Sequence, residues 1–369
     1  ALRRFARRFA RRPARRPSRR WRPARAMGNS VCTSGKTGDF DGSCCSINKS
    51  KGADMMEYQP QGRHETHSEA LEVEPRAPAA SQRVDSRSAS RPWGGPRSED
   101  DVPQESYFAR ELKELRALPA GGEPGERPPY SFKTGATYSG QWKGNARHGV
   151  GRQRWADGAE FIGRWDCNFA DGPGRFVHAD GDVFIGQWHK NTAQGLGNYY
   201  HKNGPTTYGG RWADDLQDGD GIEEWEGGSR YHGQFVQGRK QGYGVYTWPD
   251  GSLYSGHWSA NSINGYGHYI GKDGREFRGM WRNAVIDGCG KYSWPDGRTF
   301  CGQYAEDQKH GFGVFTWQDG RRFEGYWREG KQHGYGVTYG PGGEVLREGV
   351  WRSGQLEPEP DAASTGKDM

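Results

Sequence analysis

Two residue patterns in this chain of 369 residues could do chemistry. His148, His310 and His333 each stand directly before a Gly-x-Gly, and nine of the eleven histidines fall between residues 138 and 356. Imidazole serves as a general base or a metal ligand, but the same position in the other copies of the pattern carries Asp, Gln or Asn. That mixture suits a polar flank of a turn rather than a reacting centre. A Gly-x-Gly can also cradle phosphate, which requires a helix N-terminus and a lysine at fixed places after it, and neither is present here. No nucleophile, base and orienting group occur together. The expectation is a chain that is not an enzyme, with no catalytic residue, no cofactor and no metal site.

The second pattern is "MGNSVC" at Met27. If Met27 starts the native chain, its removal exposes Gly28, and the small residues before Cys32 resemble an N-myristoylation site beside a palmitoylation cysteine. The pattern departs from the strict motif, since Cys32 occupies the Ser/Thr position and Thr33 comes one place late. One myristoyl chain supplies only about 10⁴ M⁻¹ of membrane affinity, so stable anchoring calls for a second acyl group on Cys32, Cys44 or Cys45. The preceding residues 1–26 hold twelve arginines and no acid, and are read as translated upstream sequence. A basic arm for RNA or anionic lipid, or an organellar presequence, are the rival readings.

Composition constrains the elements that position these groups. The net charge of +6 comes from that Arg-rich run, and the rest of the chain sums to about −6. Between Tyr138 and Leu356 there are 25 Lys/Arg and 25 Asp/Glu, a balance that gives no support to nucleic-acid binding. Six cysteines show no paired spacing, so they imply no disulfide framework or zinc site, and the chain reads as intracellular and reduced. No run reaches the roughly 18 apolar residues of a membrane helix. Residues 27–50 form the candidate acylated N-terminus, and 51–100, poor in large apolar groups, read as a disordered tether. Residues 101–119 predict one short amphipathic helix with Asp101 as its cap, Pro103 in its first turn and Phe108, Leu112 and Leu115 on one face. The helix is expected to dock on the end of the next domain or, as the second choice, to bind a partner.

From Tyr138 a single period governs. An aromatic, a Gly two places on and a second aromatic two further begin at Tyr138, Phe161, Phe184, Tyr208, Tyr231, Tyr254, Phe277, Phe300 and Phe323, with a tenth, degenerate start at Arg347. These starts number repeats one to ten below. Eleven residues after each of the nine full starts comes Gly-x-Gly, and nine further another Gly, as in Asp250-Gly251. Along "YSGHW" large groups alternate with polar ones, the period of a strand. Asn, Asp or Gly seven places after most starts predicts a hairpin turn, and the Asp-Gly column a second turn. The expectation is an all-β, elongated single-layer antiparallel sheet of about nine 23-residue hairpins over 138–356, with a disordered tail at 357–369. Its roughly nineteen strands would run about 85 Å by about 20 Å. With no second layer to cover it, aromatic rings must lie over glycines on their own face.

The recurrent Y-x-G-x-W with downstream H-G-x-G and D-G, as in "YSGQWKGNARHGVG" and "FEGYWREGKQHGYG", resembles the MORN repeat family over Tyr138 to about Arg352. The resemblance implies a scaffold near membranes, in cytoskeletal assemblies or in flagella, with phosphoinositide binding and a homodimer as further options. The functional expectation is a non-catalytic scaffold or adaptor that presents its aromatic sheet to protein partners and is tethered by acylation to a cytoplasmic membrane face. The alternative is a structural rod or spoke of an axoneme or cytoskeletal assembly, in a cilium or flagellum, without a lipid anchor. Tyr231, Tyr246, Trp248, Tyr254, Trp258, Trp281, Trp294 and Trp317 are the candidate partner-binding rings, because rigid aromatics lose little entropy on contact. Gly28, Cys32, Cys44 and Cys45 are the lipidation candidates.

Overall fold

A computed structural model describes residues 106–202 and 204–358. The lipidation candidates, the segments assigned to 1–26, 27–50 and 51–100, the proposed cap Asp101 and Pro103 lie outside the described residues. The described residues fall into two compact units, one ending at Ser262 and the other beginning at Ile263.

The described residues form an antiparallel sheet of 21 strands. Nineteen are those expected from the repeats. The two additional ones are Gly125–Ser131, which pairs with Thr137–Lys143, and the short Gln355–Leu356, which pairs with Val345–Arg352. Gly125–Ser131 escapes a reading by pattern because it holds Pro128 and Pro129, which cannot donate to a ladder. Its register breaks between Arg127 and Tyr130, where the prolines sit.

In the first unit the opening repeat shows the design. Thr137–Lys143 pairs with Ala146–Arg154, matching Gly140 to Gly151 and then Trp142 to Arg147, so the second strand carries extra residues in a bulge. Gly149, the first glycine of Gly-x-Gly, takes φ 65° there, a left-handed conformation that any side chain would strain. The second glycine has a different task. A Cβ on Gly151 would lie 2.2 Å from the Tyr138 hydroxyl, and one on Gly174 would lie 2.5 Å from the Phe161 ring. Each leading aromatic therefore lies on bare backbone, as the single-layer reading requires. The second unit repeats this at Gly313, whose Cβ would meet Phe300 at 2.4 Å, and at Gly336, whose Cβ would meet Phe323 at 2.3 Å.

The hairpin turns hold two successive residues at positive φ, such as Cys167 (45°) and Asn168 (75°), or Glu306 (49°) and Asp307 (65°). This is the geometry of a primed two-residue turn, whose twist suits the flanking strands. Only the second position was legible in the sequence, because the first accepts Cys, Lys, Gln or Glu. The second position also ties each hairpin to the preceding one. Asn191 Oδ1 accepts from the Ala170 amide at 2.7 Å while its own N–H donates to the Ala170 carbonyl at 3.0 Å. Asp307 does the same with Ile286, at 2.8 and 3.0 Å.

The segment before the array forms the expected short helical element, a 3₁₀ turn, Tyr107–Ala109, leading into helix α1, Leu112–Ala117. It lies across the ring-bearing face of the first repeats, not on the end of the array. The Phe108 ring sits edge-on to Trp155, Phe161, Trp165 and Trp188 at 5.3 to 5.8 Å, and is buried. Ala170 occupies the column that carries Arg147, Lys240 and Lys309 in other repeats, so no long side chain competes for that space. Among the described residues Cys167 is the free cysteine, whereas Cys289 and Cys301 are disulfide-bonded, which the spacing of cysteines did not foretell.

Candidate functional site

The sheet has two faces of different character. On the inner face each leading aromatic meets the second aromatic of its own repeat edge-on, as in Phe161 with Trp165 at 5.1 Å, and that of the next repeat, as in Phe161 with Trp188 at 5.4 Å. Phe300, Tyr304 and Trp327 continue the arrangement in the second unit at 5.2 Å for each contact. Edge-to-face contact is the favoured approach of two ring quadrupoles. The indole N–H groups donate to the glycine carbonyls of the repeat before: Trp165 to Gly151 at 3.2 Å, Trp258 to Gly244 at 3.3 Å and Trp327 to Gly313 at 3.2 Å. These indoles thus satisfy their polar atoms while burying their rings, whereas Trp142 and Trp351, in the first and last repeats, have no hydrogen-bond partner for the indole N–H among the described residues.

Six of the eight candidate partner-binding rings belong to this ladder and are buried: Tyr231, Tyr246, Trp248, Tyr254, Trp258 and Trp281. Trp294 and Trp317 are half-buried. Trp294 packs on Tyr292 at 4.4 Å and Trp317 on Phe315 at 5.0 Å. These eight positions therefore hold the sheet together more than they offer free surface.

Cations are built into the inner face. Arg147 lies 4.2 Å above the Trp165 ring and donates to Gln153 Oε1 at 3.1 Å and to the Phe108 carbonyl at 3.2 Å. Burial pulls its pKa down to about 10, against the pull of Glu111 and Tyr138. Glu111, on the docked segment, is buried too and accepts from Thr134 Oγ1 at 3.1 Å and from the Trp155 indole at 3.3 Å. Burial raises its carboxyl above the usual range, more than these bonds lower it. Lys240, in the Arg147 column, sits 4.6 Å from the Trp225 centroid and bonds Glu223 at 2.8 Å in a buried ion pair. In the second unit Lys309 is ringed by Trp294, Phe300, Phe315 and Trp327 at 4.6 to 5.5 Å. Desolvated cations gain from such ring faces.

The outer face is where the sequence reading was silent. The residue between the two glycines must point away from the rings, and this column reads Val150, Pro173, Leu196, Asp220 and Tyr243 in the first unit. In the second it reads Tyr266, Cys289, Phe312 and Tyr335. Val150 is 64% exposed, Leu196 66%, Tyr243 54% and Tyr335 51%. Directly across the ladder from them stand Arg164 for Val150, Met280 for Tyr266, Tyr326 for Phe312 and Val350 for Tyr335. Glutamines fix the bulge that aims this column: Gln141 accepts from the Val150 amide at 2.9 Å and Gln303 from the Phe312 amide at 3.2 Å. Strand parity alone could have identified the column.

His148, one of the three pattern histidines, brings Nδ1 to 3.3 Å from Asp166, with Cys167 in the same cluster and all three donor atoms within 4.8 Å of one another. The same two columns hold Asp171 and His189 at 3.1 Å in the next repeat, with Lys190 in place of the cysteine. The contact is thus part of the hairpin-to-hairpin stitching. His310 and His333 occupy the same outer column in the second unit. No helix among the described residues is long and apolar enough to cross a membrane.

Tandem hairpins of this pattern define a repeat module. The family described as MORN repeat matches residues 138–160, 161–183, 184–206, 231–253, 254–274, 277–297, 300–321 and 323–345. The chain belongs to the MORN repeat family. Repeat four, starting at Tyr208, is not among the matches; it carries Glu223 where six of the other eight full repeats have an aromatic, and Gly227-Gly228 where most have Asp-Gly, yet its strands pair like the rest. No curated protein matches the chain. Among solved structures, the SAS-4 TCP domain of Drosophila melanogaster is 16% identical, with a TM-score of 0.28, covering 56% of this chain and 96% of that one. The wild-type TCP10 domain of Danio rerio CPAP is 11% identical, with a TM-score of 0.23, covering 61% and 100%. The G-box domain of the microcephaly protein CPAP is 15% identical, with a TM-score of 0.22, covering 60% and 97%. These similarities are too low to bear on function.

Proposed function

We propose that the protein is a scaffold or adaptor whose sheet meets protein partners through its outer face, and that acyl groups on Gly28 and Cys32, with Cys44 and Cys45 as further sites, hold it at the cytoplasmic face of a membrane. MORN repeats are repeat modules that bind proteins or associate with membranes, and they are not typically catalytic. The observation that supports the protein-binding half is the row of large apolar side chains held in solvent on the outer face, including Tyr243, Tyr326 and Tyr335. Exposed apolar surface rimmed by polar groups marks interaction sites. Rings fixed on a bonded sheet lose little entropy when a partner covers them.

Two variants of the full chain separate the halves. Tyr326→Ala with Tyr335→Ala is expected to lose a defined subset of neighbours in quantitative proximity labelling in cells, while expression and melting temperature stay unchanged. An identical neighbour set would overturn the outer-face reading. Gly28→Ala is expected to abolish incorporation of a myristate analogue and to move the chain into the soluble fraction. Absence of label in the unmodified chain, with the same fractionation in the variant, would remove the acyl tether.

A further inference from the structure

Three side chains able to bind metal meet on the outer face where repeat one joins repeat two. His148 stands before the Gly-x-Gly of the strand Ala146–Arg154, and Asp166 ends the neighbouring strand Glu160–Asp166. The pairing of Gly149 with Trp165 sets His148 across the ladder from Asp166. Cys167 follows as the first residue of the hairpin turn, at φ 45°. Asn168, the second, donates its N–H to the Arg147 carbonyl at 3.0 Å and accepts from the Arg147 amide at 2.8 Å. Arg147 and Asn168 are chain neighbours of His148 and Cys167, so these two bonds keep the imidazole and the thiol close together.

The distances suit one ion. His148 Nδ1 lies 3.3 Å from Asp166 Oδ1, and all three donor atoms lie within 4.8 Å of one another. In a tetrahedral zinc site with bonds of about 2.0 to 2.3 Å, nitrogen and oxygen ligands stand about 3.4 Å apart, and nitrogen and sulfur about 3.6 Å. Cys167 is exposed, so rotation about its Cα–Cβ bond supplies the remaining approach. His148 Nδ1 is sealed from solvent yet makes no hydrogen bond to any described residue. A buried polar atom without a partner calls for a physical reason, and a lone pair directed at a metal supplies one. The next junction gives an internal comparison. Asp171 and His189 meet there at 3.1 Å in the same two columns, but Lys190 takes the place of Cys167. The histidine–aspartate contact recurs as stitching, whereas a cysteine in this place belongs to the first junction alone.

The charges around the cluster are mixed. Lys143, on the preceding strand, acts on Cys167, and the Cys167 thiol donates to the Asp166 carboxylate. Arg164 lies two residues before Asp166, and Lys190 stands at the next turn, while Asp171 is paired with His189. With cations on both sides, charge alone would not gather a hard dication such as Mg²⁺ or Ca²⁺, which also prefers oxygen ligands throughout. Recognition must come from bonds to imidazole nitrogen and thiolate sulfur, a donor set that suits zinc. We infer that His148, Asp166 and Cys167 bind one Zn²⁺ ion, with water in the fourth position, and that the ion clasps repeat one to repeat two on the face opposite the docked Phe108. As the zinc–sulfur bond forms, the thiol proton passes to solvent. This site departs from the sequence expectation of no metal, because His148 and Asp166 meet only through the ladder. It rests on neither the outer-face nor the acyl reading above.

The test uses the full chain, freed of metal by a chelator, and follows alkylation of Cys167 by iodoacetamide, read by mass spectrometry, with and without added Zn²⁺. Zinc is expected to slow the reaction about tenfold or more, and Mg²⁺ or Ca²⁺ to leave it unchanged. His148→Gln and Asp166→Asn should each lose most of that protection while keeping the metal-free urea midpoint, since Gln194 and Ala213 stand in these two columns at a later junction. Titration with Co²⁺ should add thiolate-to-metal charge-transfer absorption that Cys167→Ser removes. Alkylation of Cys167 at the same rate with and without zinc would overturn the proposal. So would equal protection in His148→Gln and Asp166→Asn, which would reduce the effect to a thiol binding zinc by itself. A cobalt spectrum identical in Cys167→Ser would assign the metal to Cys32, Cys44 or Cys45 and overturn it equally.

Discussion

The inner and outer faces of this sheet are made by the same strands, often by adjacent residues, and they obey different rules. Inner positions are fixed in type, an aromatic, a glycine and an aromatic, because each ring rests on the glycines of its own hairpin and touches the ring of the next. Outer positions vary freely between Val150, Pro173, Asp220 and Tyr243 in one column of the first unit. The difference shows how a sheet without a second layer stays folded: one face supplies the core, which frees the other for recognition. Burying half of an aromatic side chain contributes roughly 2 to 3 kcal/mol, so a ladder of such rings substitutes for an ordinary core.

Removing a ladder ring should have the largest effect. Trp188→Ala deletes contacts to Phe161 at 5.4 Å, Phe184 at 5.2 Å and Phe108 at 5.6 Å, and leaves the Gly174 carbonyl without its indole donor. A loss of about 3 to 5 kcal/mol is expected from urea denaturation. A smaller and more local effect is expected for Phe108→Ala. It should weaken docking of Tyr107–Ala117 by about 3 kcal/mol and remove hydrogen-exchange protection from that segment, with protection in the second unit unchanged.

Asp215 makes the hairpin stitching dependent on pH. It accepts from the Ala193 amide at 2.6 Å in the hairpin stitch, and burial pushes its carboxyl up to about 6, while that bond acts in the opposite sense. A raised acid favours the folded state when protonated. Its contribution is therefore complete below about pH 4 and lost as pH rises through about 6. Asn stands at the same turn position in Asn168, Asn191 and Asn261 and keeps the acceptor without the charge. Asp215→Asn should raise stability at pH 7.5 by about 1 to 3 kcal/mol, at 1.36 kcal/mol per pKa unit, and should change it little at pH 4.5. An equal effect at both pH values would mean that the carboxylate is solvated.

Much of the inner face was legible because its requirements are steric and local. Glycines at Gly151 and Gly174 recur because no Cβ fits under Tyr138 or Phe161, and Asn191 or Asp307 recurs because the turn requires positive φ. The strand count fell two short because Gly125–Ser131 belongs to no repeat and contains Pro128 and Pro129, and because Gln355–Leu356 is only two residues long. The docking of Phe108 was not legible, since an amphipathic pattern shows that a face is buried but not against what. The candidate interaction rings were chosen for their chemistry, and the ladder had already used most of them. Tyr335 is hidden in a Gly-x-Gly whose signal is its glycines, and Tyr326 in an aromatic motif whose signal is Phe323, Gly325 and Trp327, although both tyrosines face solvent.

The most direct test uses two neighbouring residues. Gly151 lies under the Tyr138 ring, and Val150, one residue earlier, points into solvent on the opposite face. Equilibrium urea denaturation of Gly151→Ala and Val150→Ala should show a destabilisation of about 1 to 3 kcal/mol for the first and a change within about 0.5 kcal/mol for the second. Equal midpoints for the two variants, or a larger loss from Val150→Ala, would contradict the account of a sheet whose core is one face of itself.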